Sequence, residues 1–502
     1  DDREFLLNLF IEDEKPRDID TLSLALMQHR AQREEATLRK MQQAQGTLYQ
    51  PKRSFRVGEQ VIFPLLDFAA GRVTAIRDGD NPEFGPFKVI QVDMNGHGTR
   101  EFAAELNNDH RLNTDDSLLS SHENLLTPVE LYARFGDNLK ENLEKALAAT
   151  NDFVRLSRQW FPRALIADVN TGHLNLAEAI LDMNAGGPLS TEVLLRDVGL
   201  PKEINGQLQT FSLNYALQRD DRFDEVGPTG EVLWFLRRLE PPQVITVPHR
   251  LAYMDQTFDR ARIPADLLKI EKSIDDELSD VATAVDAADE VTFTLTFPHR
   301  VSGTLPLTPR IAPLFPTGRT SRIRFLFEDA RTGSRWAGWV VREHHYAYGL
   351  EAWYIANDVP AGAYVTLRRG SEPGVIIIEL QGQRQRREWV RVAALKDSRL
   401  TFEMLRRPIP SNYDDQMIIV VEDIAGADKL FNQIQDHATP TADLIELLLP
   451  DIAKLSPQGN VHAKTLYAAI NIIQRIPPGP LFAALIHQTA FRSVGDGYWI
   501  AR

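Results

Sequence analysis

The sequence predicts a multidomain α+β protein: a small β-barrel, two helix-helix-hairpin domains and a seven-stranded β-barrel, joined by helical connectors. Three observations predict it. At 502 residues the chain exceeds one hydrophobic core and suits several domains of about 100–150 residues. Its texture alternates between stretches free of Gly and Pro and short β-rich runs bounded by turn residues. Glu240-Pro241-Pro242 separates two such regions, because paired prolines neither continue a helix nor donate to a central sheet.

Residues 1–50 are expected to be an N-terminal helical segment. Between Asp20 and Gln45, Leu22, Leu24, Leu26 and Met27 precede a charged run without Gly or Pro, which suits a docking or spacer helix, with a coiled-coil partner helix as the alternative. Residues 53–112 turn β-rich: Val57-Gly58-Glu59-Gln60-Val61-Ile62-Phe63, then Gly71-Arg72-Val73-Thr74-Ala75-Ile76, then Phe87-Lys88-Val89-Ile90-Gln91-Val92. The V-G-x-x-V strand followed by a G-x-V strand resembles SH3-like barrels of the KOW and Tudor kind. A helical connector, 123–165, starts at Thr127-Pro128 with Glu130 completing a capping box.

Residues 172–239 predict helices at His173–Met183, Thr191–Val198 and Glu203–Leu217, then a hairpin over Arg222–Leu239. A helical linker follows at 249–285. The region 291–410 predicts seven strands: Thr292–Thr296, Arg322–Phe327, Trp336–Val341, Ala352–Ile355, Tyr364–Leu367, Val375–Leu380 and Glu388–Val392. A strand-helix connector at 414–439 leads to 440–502, with helices at Thr441–Leu449, Val461–Gln474 and Leu481–Gln488 and a hairpin over Phe491–Ile500.

The two hairpins echo each other. Phe223-x-x-Val226-Gly227 leads through Gly230 to Trp234, and Phe491-x-x-Val494-Gly495 leads through Gly497 to Trp499. The Phe and Val anchor one strand, the glycines permit the turn, and the Trp on the returning strand closes the core. Helices followed by such a hairpin resemble winged-helix domains, and the F-x-x-V-G-x-G-x-W ending resembles the HARE-HTH type of transcription and chromatin proteins, in two copies. That resemblance implies contact with DNA or with protein. The charges argue against direct base readout, since Leu481–Gln488 has no Lys or Arg and Glu203–Leu217 has none. Asn205, Gln207, Gln209 and Asn214 are the side chains there that could read bases.

Positive charge is gathered elsewhere. The whole chain carries −14, yet Val291–Pro410 holds 18 Lys or Arg against 10 Asp or Glu, which leaves −22 on the other 382 residues. Arg322, Arg324, Arg368, Arg369, Arg384, Arg386, Arg387 and Arg391 are the expected nucleic-acid contacts, since arginine pairs bidentately with phosphate and guanine. Trp336, Trp339, Trp353 and Trp389 are candidate stacking platforms, with core packing as the plainer role. The layout RIRFLFED, RWAGWVVR, AGAYVTLRRG, VIIIEL resembles B3-type DNA-binding pseudobarrels, which implies a basic edge for the groove at Arg384, Arg386 and Arg387.

No cysteine is present, so disulfides, thiolate zinc sites and cysteine nucleophiles are excluded. The nucleotide-binding, zincin and hydrolase motifs are missing, and no cofactor is expected. Glu343-His344-His345 with Glu351, and Asp358 with Glu379, are the only weak metal or nuclease candidates. No apolar run reaches the roughly 20 residues of a membrane span, and the acidic start Asp1-Asp2 is unlike a signal peptide. The expectation is a cytoplasmic, non-enzymatic DNA-binding protein of transcription or chromosome maintenance, nucleoid-associated in a bacterium. The alternatives are a scaffold docking on RNA polymerase or another nucleic-acid machine, and a nuclease subunit.

Overall fold

The computed structural model describes residues 2–43, 46–63, 66, 69–94, 98–107, 112–113, 127–156, 158–201, 203–279, 288–382, 386–396, 399–437 and 439–502, the side chains of 37–43 and 82 excepted. Arg384, the predicted helix end at 44–45 and the predicted connector ends at 123–126 and 280–285 lie outside the described residues. The architecture is mixed α+β, in two compact units: residues 1–168 with 202–212, and 169–201 with 213–502. The helix Gly206–Gln218 contributes its residues up to Ser212 to the first and the rest to the second.

In the first unit the helix Ile19–Gln43 buries Leu22 and Leu26 and lies against Pro128–Ala148, with Lys140 Nζ 2.6 Å from Asp20. The expected capping box forms: Thr127 Oγ1 accepts from Glu130 N at 3.3 Å, and Thr127 N donates to Glu130 Oε2 at 2.8 Å. A separate helix, Asp2–Asp13, precedes it, so the expected N-terminal helical segment is two helices.

The β-rich stretch forms a five-stranded sheet, in order Thr47–Leu48, Gln60–Phe63, Ala69–Asp78, Lys88–Asp93 and Thr99–Ala104. Backbone bonds from Glu105 N to Arg53 O (3.0 Å) and Leu106 N to Pro51 O (2.9 Å) tie its two edges together. Tyr49, Phe55, Phe63 and Val92 fill the core. Gly71 must be glycine, since a Cβ there would stand 2.4 Å from the Val92 side chain.

The second unit holds a curled seven-stranded half-barrel in the order Glu290–Thr294, Tyr364–Arg369, Val375–Leu380, Arg322–Asp329, Arg335–Val341, Tyr346–Tyr348, Thr304–Pro306. All neighbours are antiparallel except Val375–Leu380 beside Arg322–Asp329. Two of the seven predicted strands are misplaced. Ala352–Ile355 lies in the helix Glu351–Ala356, because Leu350, Trp353 and Tyr354 recur at helical spacing and all turn inward. Glu388–Val392 belongs to a separate sheet. Their places are taken by Thr304–Pro306 and Tyr346–Tyr348, three residues each.

The internal echo extends to element order. Helix Thr171–Met183, strand Leu189–Ser190, helices Thr191–Val198 and Gly206–Gln218, and hairpin Phe223–Glu225/Leu233–Leu236 form one series. Helix Thr441–Ala453, strand Val461–His462, helices Ala463–Ile473 and Pro478–His487, and hairpin Phe491–Gly495/Tyr498–Ala501 repeat it. In each, the two-residue strand pairs with the tryptophan strand: Leu189 opposite Trp234, Val461 opposite Trp499. Among the described residues no single helix is long and apolar enough to cross a membrane; the bent pair Ala463–Ile473 and Pro478–His487 is apolar because it is core.

Candidate nucleic-acid interface

Strands Arg386–Lys396 and Arg399–Ile409 form a long antiparallel ribbon, with Ile419–Val421 parallel to the first strand. Alternation along a strand splits its side chains between two faces. One face buries Val390, Val392 and Ile409 against Ile418. The opposite face buries Ala393, Leu400 and Phe402 at the loop end, in the C-terminal core. At the other end this second face is open. There Arg387, Trp389 and Arg391 stand opposite Pro408, Arg406 and Met404. Trp389 is 65% exposed and Met404 36%. Pro408 is tolerated because its strand is an edge.

Six residues of this open face carry three arginines and no acid. Arg406 Nε donates to Arg387 O at 3.5 Å, and neither arginine has an acidic partner among the described residues. Arg391 is more committed: its Nη1 donates to Asp415 O at 2.7 Å, and burial lowers its pKa. Arg386 is exposed on the reverse face beside them.

The remaining predicted arginines have other work. Arg322 pairs with Asp224 and lies 3.3 Å from Glu240, clasping the first hairpin to the half-barrel. Burial, then the nearby Asp224 charge, pushes the Glu240 carboxyl up to about 7, with Arg322 opposing. Arg324 stacks over Trp339 (4.9 Å) and Phe235 (5.4 Å), desolvated so that its pKa falls. Both depart from the expectation of phosphate contact, because these side chains hold the hairpin. Arg369 Nη2 donates to Pro313 O at 2.7 Å, and exposed Arg368 is the cross-strand neighbour of Glu290. These two lie in the seven-stranded sheet, not in the ribbon, so the predicted arginines do not share one sheet.

Of the four tryptophans, Trp339 and Trp353 are buried, Trp336 donates from Nε1 to Gly349 O at 2.7 Å, and Trp389 alone stands open. Three of the four candidate base-reading amides are used internally as well, and Gln207 is exposed. Asn214 Oδ1 accepts from Trp234 Nε1 at 2.9 Å and from Thr191 Oγ1; Asn205 Oδ1 caps Gln207 N at 2.8 Å; Gln209 donates to Ile204 O at 3.2 Å. Pro478–His487 buries Leu481, Phe482 and Leu485 and offers no reading face.

Asp358 occupies a left-handed turn and Glu379 an exposed strand position, while Glu343, His344 and His345 form a surface turn. Among the described residues no group of three or more His, Asp or Glu side chains is placed to hold a metal. The sequence reading missed a buried cluster. Arg475 reaches Asp276 at 2.8 Å and Glu277 at 2.7 Å, Tyr467 donates to Asp276, and His299 Nε2 lies 3.2 Å from Glu277. Burial alone would raise the Glu277 pKa; Arg475, then His299, more than reverse it and keep Glu277 ionised. The cluster acts as a cross-link, and on one side Glu277 borders an open surface pocket lined also by Leu307, Arg342 and His345. Compared with known proteins, the chain matches no family model, no curated protein and no solved structure.

Proposed function

We propose that this protein is a non-enzymatic DNA-binding protein of the transcription or chromosome-maintenance kind, and that the open end of the ribbon is its contact surface. One observation carries the reading: Trp389 stands in solvent between Arg387, Arg391 and Arg406 on a ribbon face that carries no acid of its own, with Asp414 and Asp415 near its Arg391 end. Burying a large apolar side chain stabilises a fold by about 1.5–3 kcal/mol, so a Trp left two-thirds exposed among cations suits a partner that is both flat and anionic. Nucleic acid is both.

The repeated helix-strand-helix-helix-hairpin order supports reading both segments as winged-helix relatives, and the tied edges of the first sheet support an SH3-like barrel. For the half-barrel we retain the B3-like comparison with its groove edge moved to the ribbon. The winged-helix segments then serve as internal supports, since Asn214 and the Pro478–His487 helix face inward.

The test is fluorescence anisotropy of the whole chain against labelled DNA in a salt series. Binding at 50 mM salt that weakens as salt rises, with R387A/R406A losing about tenfold, is expected. No binding at low salt to duplex or single strand overturns the reading. A docking scaffold would then lead, because Trp and Arg also dominate protein interfaces and the rest of the chain is acidic.

A further inference from the structure

We infer that the ribbon takes single-stranded nucleic acid, an unpaired base stacked on Trp389 with its flanking phosphates on Arg387 and Arg406. This deepens the nucleic-acid reading and rests on it. A two-stranded ribbon can enter a major groove, but there it reads base edges through hydrogen-bonding side chains. The side chain at the centre of this open face is an indole, whose broad surface offers stacking and whose single N–H is a poor edge reader. Duplex DNA hides base faces; a single strand exposes them, and aromatic platforms with adjoining arginines are how sequence-tolerant single-strand sites are built.

The cross-strand pairing fits that use. Trp389 faces Arg406 directly, which puts their Cβ atoms about 5 Å apart, and Arg387 and Arg391 lie one strand repeat of about 6.6 Å to either side. Cations therefore flank the indole on three sides. Arg391 is partly held by Asp415 O, leaving Arg387 and Arg406 as the phosphate partners, with Met404 extending the apolar floor. Among the described residues the packing at this end of the ribbon is supplied by the opposite face, through Val390 and Val392, while Trp389 stays 65% exposed.

The experiment uses the full chain with labelled twelve-residue oligo-dT, oligo-rU and a hairpin duplex of mixed sequence. The expected result is single strand bound at least tenfold more tightly than duplex. W389A should lose roughly 5- to 150-fold on the single strand, the value of one base stack, while W389F keeps most of it. Loss of the stack should leave the salt slope unchanged, whereas R387A/R406A should flatten it by about 1.4. Oligo-dT and oligo-rU arms tell whether the sugar matters, and binding of either supports the inference. Duplex bound as tightly as single strand, or W389A without effect while R387A/R406A weakens binding, overturns the stacking inference and leaves nucleic-acid binding standing. Failure of all three probes overturns both. Because Trp389 is exposed, an unchanged thermal melt of W389A will show that the fold is intact.

Discussion

Glu240 shows how a residue next to a proline boundary became part of a clasp. Its side chain is fully buried beside the Asp224 carboxylate, with Arg322 at 3.3 Å. A carboxyl raised from 4.5 to about 7 holds its proton more tightly in the folded state than in the unfolded one. Its contribution is therefore fully present below about pH 4.5 and lost as pH rises through 7. E240Q keeps the shape without the buried charge, so its melting temperature should exceed the parent's by a few degrees at pH 8 and match it near pH 5, read by thermal melts at both. A melt unaltered at pH 8 would mean that Arg322 fully compensates the charge. Asn214 tests the opposite assumption, that an amide in a hairpin-bearing domain faces a base. N214A leaves Thr191 without its buried acceptor and Trp234 with only the longer of its two, Thr191 Oγ1 at 3.3 Å, and should cost about 1–3 kcal/mol of stability, with DNA affinity unchanged.

The elements were legible where their signals are local. Thr127-Pro128 with Glu130 started a helix as its cap required, and the tryptophan hairpins lay where F-x-x-V-G marked them. What failed was non-local or too short. Thr304–Pro306 and Tyr346–Tyr348 offer three residues each, fewer than one cycle of a convincing alternation, and are strands because Tyr346–Tyr348 pairs with Arg335–Val341 on one side and with Thr304–Pro306 on the other. Glu388–Val392 was a strand as expected, but nothing along the chain said that its partner was Arg399–Ile409 rather than the half-barrel. The exposed Trp389 was recoverable: alternation puts Val390 and Val392 on one face and Arg387, Trp389 and Arg391 on the other. Buried Arg475 was not, since its acids are 198 and 199 residues away. R475M would strand Asp276 and Glu277 in the core. Breaking a buried ion pair from one side costs about 3–5 kcal/mol, so chemical denaturation monitored at the C-terminal region should shift well below the parent midpoint.

At the scale of the whole molecule the question is how a chain of net charge −14 can hold a polyanion. A broad basic surface built from all eight predicted arginines would give a salt slope near −6 and lose roughly 2,000-fold between 50 and 200 mM salt. The structure leaves much less. Arg322 and Arg324 are taken by the first hairpin, Arg391 by Asp415 O, Arg369 by Pro313 O, and Arg368 is set across from Glu290. Arg386, Arg387 and Arg406 remain at the open end of the ribbon. Of these only Arg387 and Arg406 share the open face, and two contacts on a single strand predict a slope near −1.4 and a loss of roughly 7-fold over the same range. The −22 carried outside the basic region adds a repulsion that weakens binding most at the lowest salt, where the screening length is about 14 Å against about 7 Å at 200 mM, and so flattens the curve further. The salt series on the full chain should therefore give a shallow line, with most of the remaining affinity lost in W389A. A slope steeper than about −4 would mean that arginines assigned here to ion pairs and stacking let go of their partners to meet phosphate, and the local ribbon site would give way to a wrapped surface.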